Sequence, residues 1–225
     1  MAAPGGVNRN YGRSIPQKLT FALIHACIVA LCIWLAFGPV DWPNPMRARL
    51  VAICAALYWI RHCVTLFIFL KRKVAYSEVL GLSGFIATFE LGFVLLGAGI
   101  LTHHPAPLGG PDILAVALVL IGSYLNSLSE HQRWQWKKLA SSRGHCYTKG
   151  LFKYATHINY FGDSVLFIGW ALLTASFLAW AIPTFVTLGF VFFHIPALDK
   201  YLSQRYGTEF DDYAAKTAKL IPFIY

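Results

Sequence analysis

SVLFIGWALLTASFLAWAIPTFVTLGFVFFH, running from Ser164 to His194, has no Asp, Glu, Lys or Arg in 31 positions. At ~1.5 Å per residue a single helix of that length runs ~45 Å, well beyond a hydrocarbon core of ~30 Å. The run is therefore expected to fold as two membrane segments with a break between them. Ala179-Trp-Ala-Ile-Pro183 supplies a break, because proline suits the start of a new helix and Trp180 suits an interface. This predicts short helices over 163–178 and 183–198. Upstream, Leu19 to Phe37, Val51 to Leu70, Leu80 to Leu101 and Ile113 to Leu128 are each close to the ~20 apolar residues that a crossing needs. The expected fold class is all-α, a polytopic membrane helix bundle of about six transmembrane helices with both termini cytoplasmic.

Composition agrees: 57% of the 225 residues are hydrophobic and 13% charged, far from the balance of a soluble domain. With six crossings, Arg9, Arg13, Lys18, Lys71, Arg72, Lys73, six residues from Arg133 to Lys153, and Lys200, Arg205, Lys216 and Lys219 share one side. Arg47 and Arg49 lie opposite. The positive-inside rule places the basic side in the cytoplasm. It also accounts for the net charge of +9 through loops facing anionic lipid rather than nucleic acid. The first apolar run is read as a retained anchor rather than a cleaved signal.

Residues 1–17 read as a flexible tail and 18–225 as a single membrane domain. Prolines mark turns at Asp41 to Pro45 and His103 to Pro111. His103 and His104 lack a third ligand, and the five cysteines show no Cys/His spacing, so no metal site or disulfide framework is expected.

Several polar side chains interrupt the apolar segments, where they cost several kcal/mol unless something satisfies them. Arg61 and Glu90 fall near the middle of the second and third helices, and a mutual salt bridge would reduce the cost of burying both. Glu90, or Tyr58 one turn before Arg61, is alternatively placed to serve a cavity that needs a proton donor. Asn126, Glu130, Arg133 and Lys137 follow an i, i+4, i+7, i+11 spacing, a single helix face. The stripe is either a solvated face or the cradle of an upright ligand with its phosphates outward. Asn159 and Asp163 share the face that opens the fifth helix, as caps or, with His157, as ligand contacts.

In this context Gly150-Leu-Phe-Lys-Tyr-Ala-Thr-His-Ile-Asn-Tyr-Phe-Gly-Asp163 and the ending Lys219-Leu-Ile-Pro-Phe-Ile-Tyr225 resemble a known superfamily. It includes membrane steroid 5-alpha-reductases, sterol reductases and isoprenylcysteine carboxyl methyltransferases. The resemblance covers 125–225, which marks that stretch as the cofactor-binding part, and the ending is most similar to the reductases. It implies an NADPH site open to the cytoplasm, with Arg61, Asn126, Glu130, Asn159, Asp163 and Tyr201 as cofactor contacts, to which the polar stripe adds Lys137 and the start of the fifth helix adds His157. Tyr58-Trp-Ile-Arg61 is similar to the reductases' Tyr-x-x-Arg, which implies Tyr58 at the substrate carbonyl. The chain also departs from the family pattern. Thr156 and Ile158 replace a frequent Arg and Pro, no Gln-Glu pair precedes Tyr58, and Phe193 and Ala197 stand where basic or His residues are expected.

The leading expectation is an NADPH-dependent reductase of a conjugated C=C bond in a steroid-like or isoprenoid lipid, with Tyr58 and Glu90 catalytic. It would lie in a bacterial inner membrane or the endoplasmic reticulum, with membrane lipid and a hydrophobic small molecule as partners. The alternative is an S-adenosylmethionine-dependent lipid or isoprenylcysteine methyltransferase, because Tyr206-Gly-Thr-Glu-Phe-Asp-Asp-Tyr213 also resembles that branch. A non-catalytic membrane scaffold is the third reading.

Overall fold

The computed structural model describes residues 12–102 and 105–225, so the adjacent His103 and His104 and most of the expected tail lie outside the described residues. Among the described residues eight α-helices follow one another: α1 (Ile15–Phe37), α2 (Pro45–Val64), α3 (Tyr76–Ala98), α4 (Gly110–Trp136), α5 (Ile158–Leu173), α6 (Ala181–Gly189), α7 (Ile195–Tyr206) and α8 (Thr208–Lys216). A π-helical turn over Thr65–Phe69 extends α2, and another over Phe190–His194 joins α6 to α7. No strand occurs among the described residues, where Ala155 and Ala218 form an isolated bridge.

Five segments are long and apolar enough to cross a membrane: α1, α2 with its π turn, α3, α4, and the continuous Phe177–Tyr206. The sixth expected crossing, α5, has 16 residues and reaches only ~24 Å. Large apolar side chains stand on the outside, Ile113 at 75% exposure and Leu23 at 66% among them, which suits a lipid solvent.

The break in the long apolar run lies upstream of its expected place. Instead of spanning 163–178, α5 starts at Ile158 and stops at Leu173. The Thr174 hydroxyl donates to the Ala171 carbonyl and accepts from the Ser176 N–H, while Ala175 takes a left-handed φ of 53°. That turn ends the helix. Pro183 sits in the first turn of α6, where a missing N–H costs nothing, and the helix it opens runs on through the π turn to Tyr206 rather than stopping at 198. At the amino end, α1 begins at Ile15, inside the expected tail. Lys18 is buried there, its ammonium donating to the Leu66 carbonyl at 2.8 Å and the Leu70 carbonyl at 2.6 Å.

Two tie points define the ends of the bundle. Lys18 joins the start of α1 to the end of α2, and at that end Phe69 meets His131 and Trp134 of α4. At the other end buried Arg47 of α2 pairs with Asp112 of α4 and donates to the Leu173 carbonyl closing α5 at 2.7 Å. Arg47 and Arg49 are the cations of this second end, and the basic loops gather at the first.

The most extensive helix pairing is α4 against α5, and glycine makes it possible. A Cβ on Gly122 would lie 2.5 Å from the Gly162 carbonyl oxygen and 2.8 Å from Leu166 Cα, and one on Gly162 would lie 2.7 Å from the Asn126 nitrogen. In lipid, small residues of this kind let two backbones pack by dispersion where no hydrophobic force separates helix from solvent. Asn126, one turn beyond Gly122, and Asp163, next to Gly162, are thereby brought within reach of each other.

Candidate functional site

A hydrogen-bonded chain runs across α2, α4 and α5. Arg61 pairs with Asp163 at 2.6 Å, and Asn126 Nδ2 donates to Asp163 and to the Asn159 carbonyl, each at 3.1 Å. Asn159 Nδ2 donates to Glu130 at 3.2 Å, and Glu130 binds Arg133 at 2.5 Å. At its inner end the Arg61 guanidinium lies 4.8 Å from the centre of the Tyr58 ring.

Two expectations are corrected here. Arg61 and Glu90 do not pair: Arg61 takes Asp163, and Glu90 takes His25 at 2.8 Å with both side chains fully buried. Neither Asn159 nor Asp163 caps α5, whose cap residue is His157, without a side-chain cap bond. Tyr201 accepts from Arg205 one turn along α7 and is not on the wall of the cavity that His157, Asn159 and Lys137 line.

That cavity, about 80 Å³, lies at the outer end of the chain, between the end of α4, the start of α5, α7 and α8. Its polar wall holds Arg133, Lys137, Thr156, His157 and Asn159, its aromatic wall includes Trp136, Tyr206 and Phe210, and no carboxylate lines it. Solvent loss around the Lys137 ammonium, then the charge of Arg133, pull its pKa down to about 8 although the residue as a whole keeps an exposed stem at the rim. The Cys146 thiol, also on the wall, is pushed up to about 11 by burial and then by Glu209, so it stays protonated. Lys137, with no carboxylate on the wall, and Arg133, already paired with Glu130, face the positive end of the α5 dipole, an arrangement that suits a phosphate.

The two stretches that carry the resemblance meet here. The Thr156 N–H donates to the Ala218 carbonyl at 2.8 Å and the His157 N–H to the Lys219 carbonyl at 2.9 Å, so the final residues strap the start of α5. His157 pairs with Asp199 of α7 at 2.7 Å, and Lys219 reaches the same carboxylate at 3.6 Å. Gly150 takes a φ of +60° and packs on Gln132, whose amide oxygen accepts from the Leu151 N–H at 2.9 Å. Thr156, where the family often has Arg, donates to the Lys219 carbonyl at 3.2 Å. Phe193 is 73% exposed and takes no part in the site.

The model of a family described as "Protein of unknown function (DUF1295)" matches residues 84–217. The chain belongs to this family. It is a steroid 5-alpha-reductase-like protein. The rat (Rattus norvegicus) 3-oxo-5-alpha-steroid 4-dehydrogenase 2 is 29% identical over 197 residues, 85% of this chain and 74% of that protein. The rat 3-oxo-5-alpha-steroid 4-dehydrogenase 1 is 31% identical over 121 residues, 54% of this chain and 43% of that protein. The Bos taurus 3-oxo-5-alpha-steroid 4-dehydrogenase 1 is 32% identical over 108 residues, covering 48% and 40%. The chain thus spans less than half the length of the two type 1 relatives. The family match covers α4, α5, the cavity and the strapped loop, and begins inside α3.

Sequence reasoning missed His25 and His62 in the α1–α2 core and Asp199 on α7. His25 was detectable, since an ionisable residue inside the apolar run 19–37 calls for a partner in the bundle. Asp199 carried no such signal, because it lies among the polar residues of α7.

Proposed function

We propose that this protein is an integral membrane, NADPH-dependent reductase of a conjugated carbon–carbon double bond in a steroid-like or isoprenoid lipid. The observation that carries the reading is the continuous chain from a cationic, aromatic-walled cavity to Tyr58 in the apolar interior. Such a path suits a ligand with a phosphate-bearing end in water and a reactive end in the bundle. The residues present fit the cofactor: Arg133, Lys137 and the start of α5 for phosphate, and the aromatic wall for a planar ring. NADPH would supply the hydride. A dinucleotide needs a pocket of about 300–1,000 Å³, so binding entails opening the smaller cavity, by movement of α7 and α8 against α4.

Asp163, Asn126 and Asn159 then serve as cofactor-side polar groups, with Arg61 linking them to the substrate side. Tyr58 is 7% exposed among Phe89, Phe167 and Trp170, and its hydroxyl is the donor assigned to the substrate carbonyl. A preorganised donor of this kind contributes about 10²–10³ in rate. Charge asymmetry between the two ends supports a cytoplasmic position for the cavity.

Methyl transfer from S-adenosylmethionine is the second reading, favoured by Tyr206, Phe210 and Tyr213 of the methyltransferase-like tail all lining the same cavity. Thermal unfolding of the purified protein in mild detergent separates the two. A rise in melting temperature with NADPH and none with S-adenosylmethionine is expected. The opposite selectivity overturns the reductase assignment, and no response to either ligand favours the scaffold.

A further inference from the structure

The chain holds a second buried polar cluster, in the α1–α2–α3 core. His25 Nε2 and Glu90 Oε1 are 2.8 Å apart with both residues 0% exposed. The His25 ring lies 5.3 Å from that of His62 and 6.0 Å from that of Tyr58, and His62 and Tyr58 are 4.3 Å apart edge-on. Around this pair the packing is apolar or aromatic: Phe21 flanks both imidazoles, and Phe89 and Trp170 back Tyr58.

The pairing leaves atoms over. His25 Nδ1, Glu90 Oε2, His62 Nδ1 and Trp170 Nε1 are all shielded from solvent and have no hydrogen-bond partner. Orphaned polar atoms in a low-dielectric core are costly. A structural ion pair would need only the two atoms that already meet. An imidazole held through Nε2 by a carboxylate has its other nitrogen fixed in direction. It is built to hand a proton to whatever lies beyond Nδ1.

We infer that the His25–Glu90 pair is the proton donor for the substrate's carbonyl end, with His25 Nδ1 the atom that touches the oxygen and Glu90 a positioning residue behind it. The inference rests on the reductase reading and deepens it: the substrate class is a conjugated ketone whose oxygen reaches the α1–α2–α3 core. NADPH, once bound, would supply the hydride for a new C–H bond at the β carbon, and charge would then develop on the substrate oxygen that His25 faces. His25 Nδ1–H transfers its proton to that oxygen as the O–H bond forms. The resulting enol takes a proton from water at its α carbon and gives up its hydroxyl proton to His25, restoring the imidazolium. The balance is one hydride, which the cofactor would supply, and one proton from water, with the ketone regenerated. Glu90 keeps the imidazolium oriented throughout. Tyr58 offers the second donor to the same oxygen, and the paired Arg61 and Asp163 hold the next charges outward.

The test uses equilibrium binding and needs no turnover. The full chain in detergent is titrated with two saturated probes, a 3-oxo steroid and its 3-deoxy counterpart, with intrinsic tryptophan fluorescence as the signal. The wild type is expected to prefer the ketone by ten-fold or more. Glu90→Gln should cut that preference several-fold, and His25→Leu should abolish it. Because either single change leaves a buried group unpaired, a His25→Leu/Glu90→Leu double variant, which removes both partners, keeps the comparison valid if the single variants do not fold. A folded double variant should bind both probes alike and still be stabilised by NADPH as the wild type is. A wild type without ketone preference, or a folded double variant that retains it, overturns the assignment of His25. Absence of NADPH stabilisation in a wild type that does prefer the ketone overturns the reductase reading instead.

Discussion

Replacing Gly122 with alanine tests whether the α4–α5 contact builds the site. The new Cβ would stand 2.5 Å from the Gly162 carbonyl oxygen and 2.8 Å from Leu166 Cα, and both neighbours are backbone, which no rotamer change can move. Restoring an ordinary contact of about 3.5 Å requires α4 and α5 to separate by ~1 Å. Overpacking of this kind costs about 1–3 kcal/mol. The same displacement stretches the two 3.1 Å bonds from Asn126 to Asp163 and the Asn159 carbonyl beyond bonding range. One neutral and one charged hydrogen bond add about 2–4 kcal/mol, for a total of roughly 3–7 kcal/mol. Gly92→Ala on α3 is the control, since a Cβ there meets nothing within 4 Å. Thermal unfolding in detergent should show a large drop for Gly122→Ala and none for Gly92→Ala, with NADPH stabilisation lost in any Gly122→Ala protein that folds. Gly122→Ala melting with the wild type and binding NADPH normally would refute the close-packing argument.

The Lys137 pKa of about 8 gives two trends of opposite sign. A base whose folded pKa falls below its ordinary 10.5 binds fewer protons folded than unfolded between those values, so the ligand-free protein gains stability as pH rises from 8 to 10.5. NADPH affinity should fall over the same rise as the ammonium is lost, and Lys137→Gln should flatten both profiles in a pH series of melts and titrations. On the cofactor side, Asp163→Ala should weaken NADPH binding by ten-fold or more, while Tyr58→Phe lowers turnover by about 10²-fold with little change in affinity; unchanged NADPH affinity in Asp163→Ala counts against the assignment. At the opposite end, Arg47→Met strands Asp112 and should cost about 3–5 kcal/mol, partly recovered by Arg47→Met/Asp112→Leu, with NADPH affinity unchanged in the folded protein.

The first four helices were legible because each is long and apolar, whereas the nine-residue, polar α8 was not, and helix ends were less legible for identifiable reasons. Pro183 marked a break to the eye, yet proline in a first turn interrupts nothing, and the chain turns at Thr174 and Ala175, where a short side-chain hydrogen bond leaves little trace in composition. The stripe Asn126, Glu130, Arg133 was legible from spacing alone, and α4 keeps it on one face toward α5. The partner of Arg61 was not. Two ionisable residues at similar depth made Glu90 the obvious choice, but depth does not say which helix lies between, and α5 brings Asp163 to Arg61 while α1 brings His25 to Glu90. Pairing across a bundle depends on the order of helices around it, which hydropathy does not encode.

The two polar assemblies are joined through Arg61, and the join bears on how the proposed chemistry is organised. Its guanidinium faces the Tyr58 ring on one side and Asp163 on the other, so one side chain touches both the group assigned to substrate and the group assigned to cofactor. Arginine suits this position because its planar fork stacks on a ring and binds a carboxylate at the same time, which a lysine ammonium cannot do. A cofactor that alters the Arg61–Asp163 geometry therefore also alters the field at Tyr58. The same arrangement separates the two ends chemically. Charged groups proposed to serve phosphate stay near water at the end of α4, whereas the donor proposed for a lipid's oxygen lies in a core where an uncompensated charge is costly. A neutral phenol and a carboxylate-backed imidazole are the donors such a core tolerates, which is why the inner cluster carries its counter-ion with it.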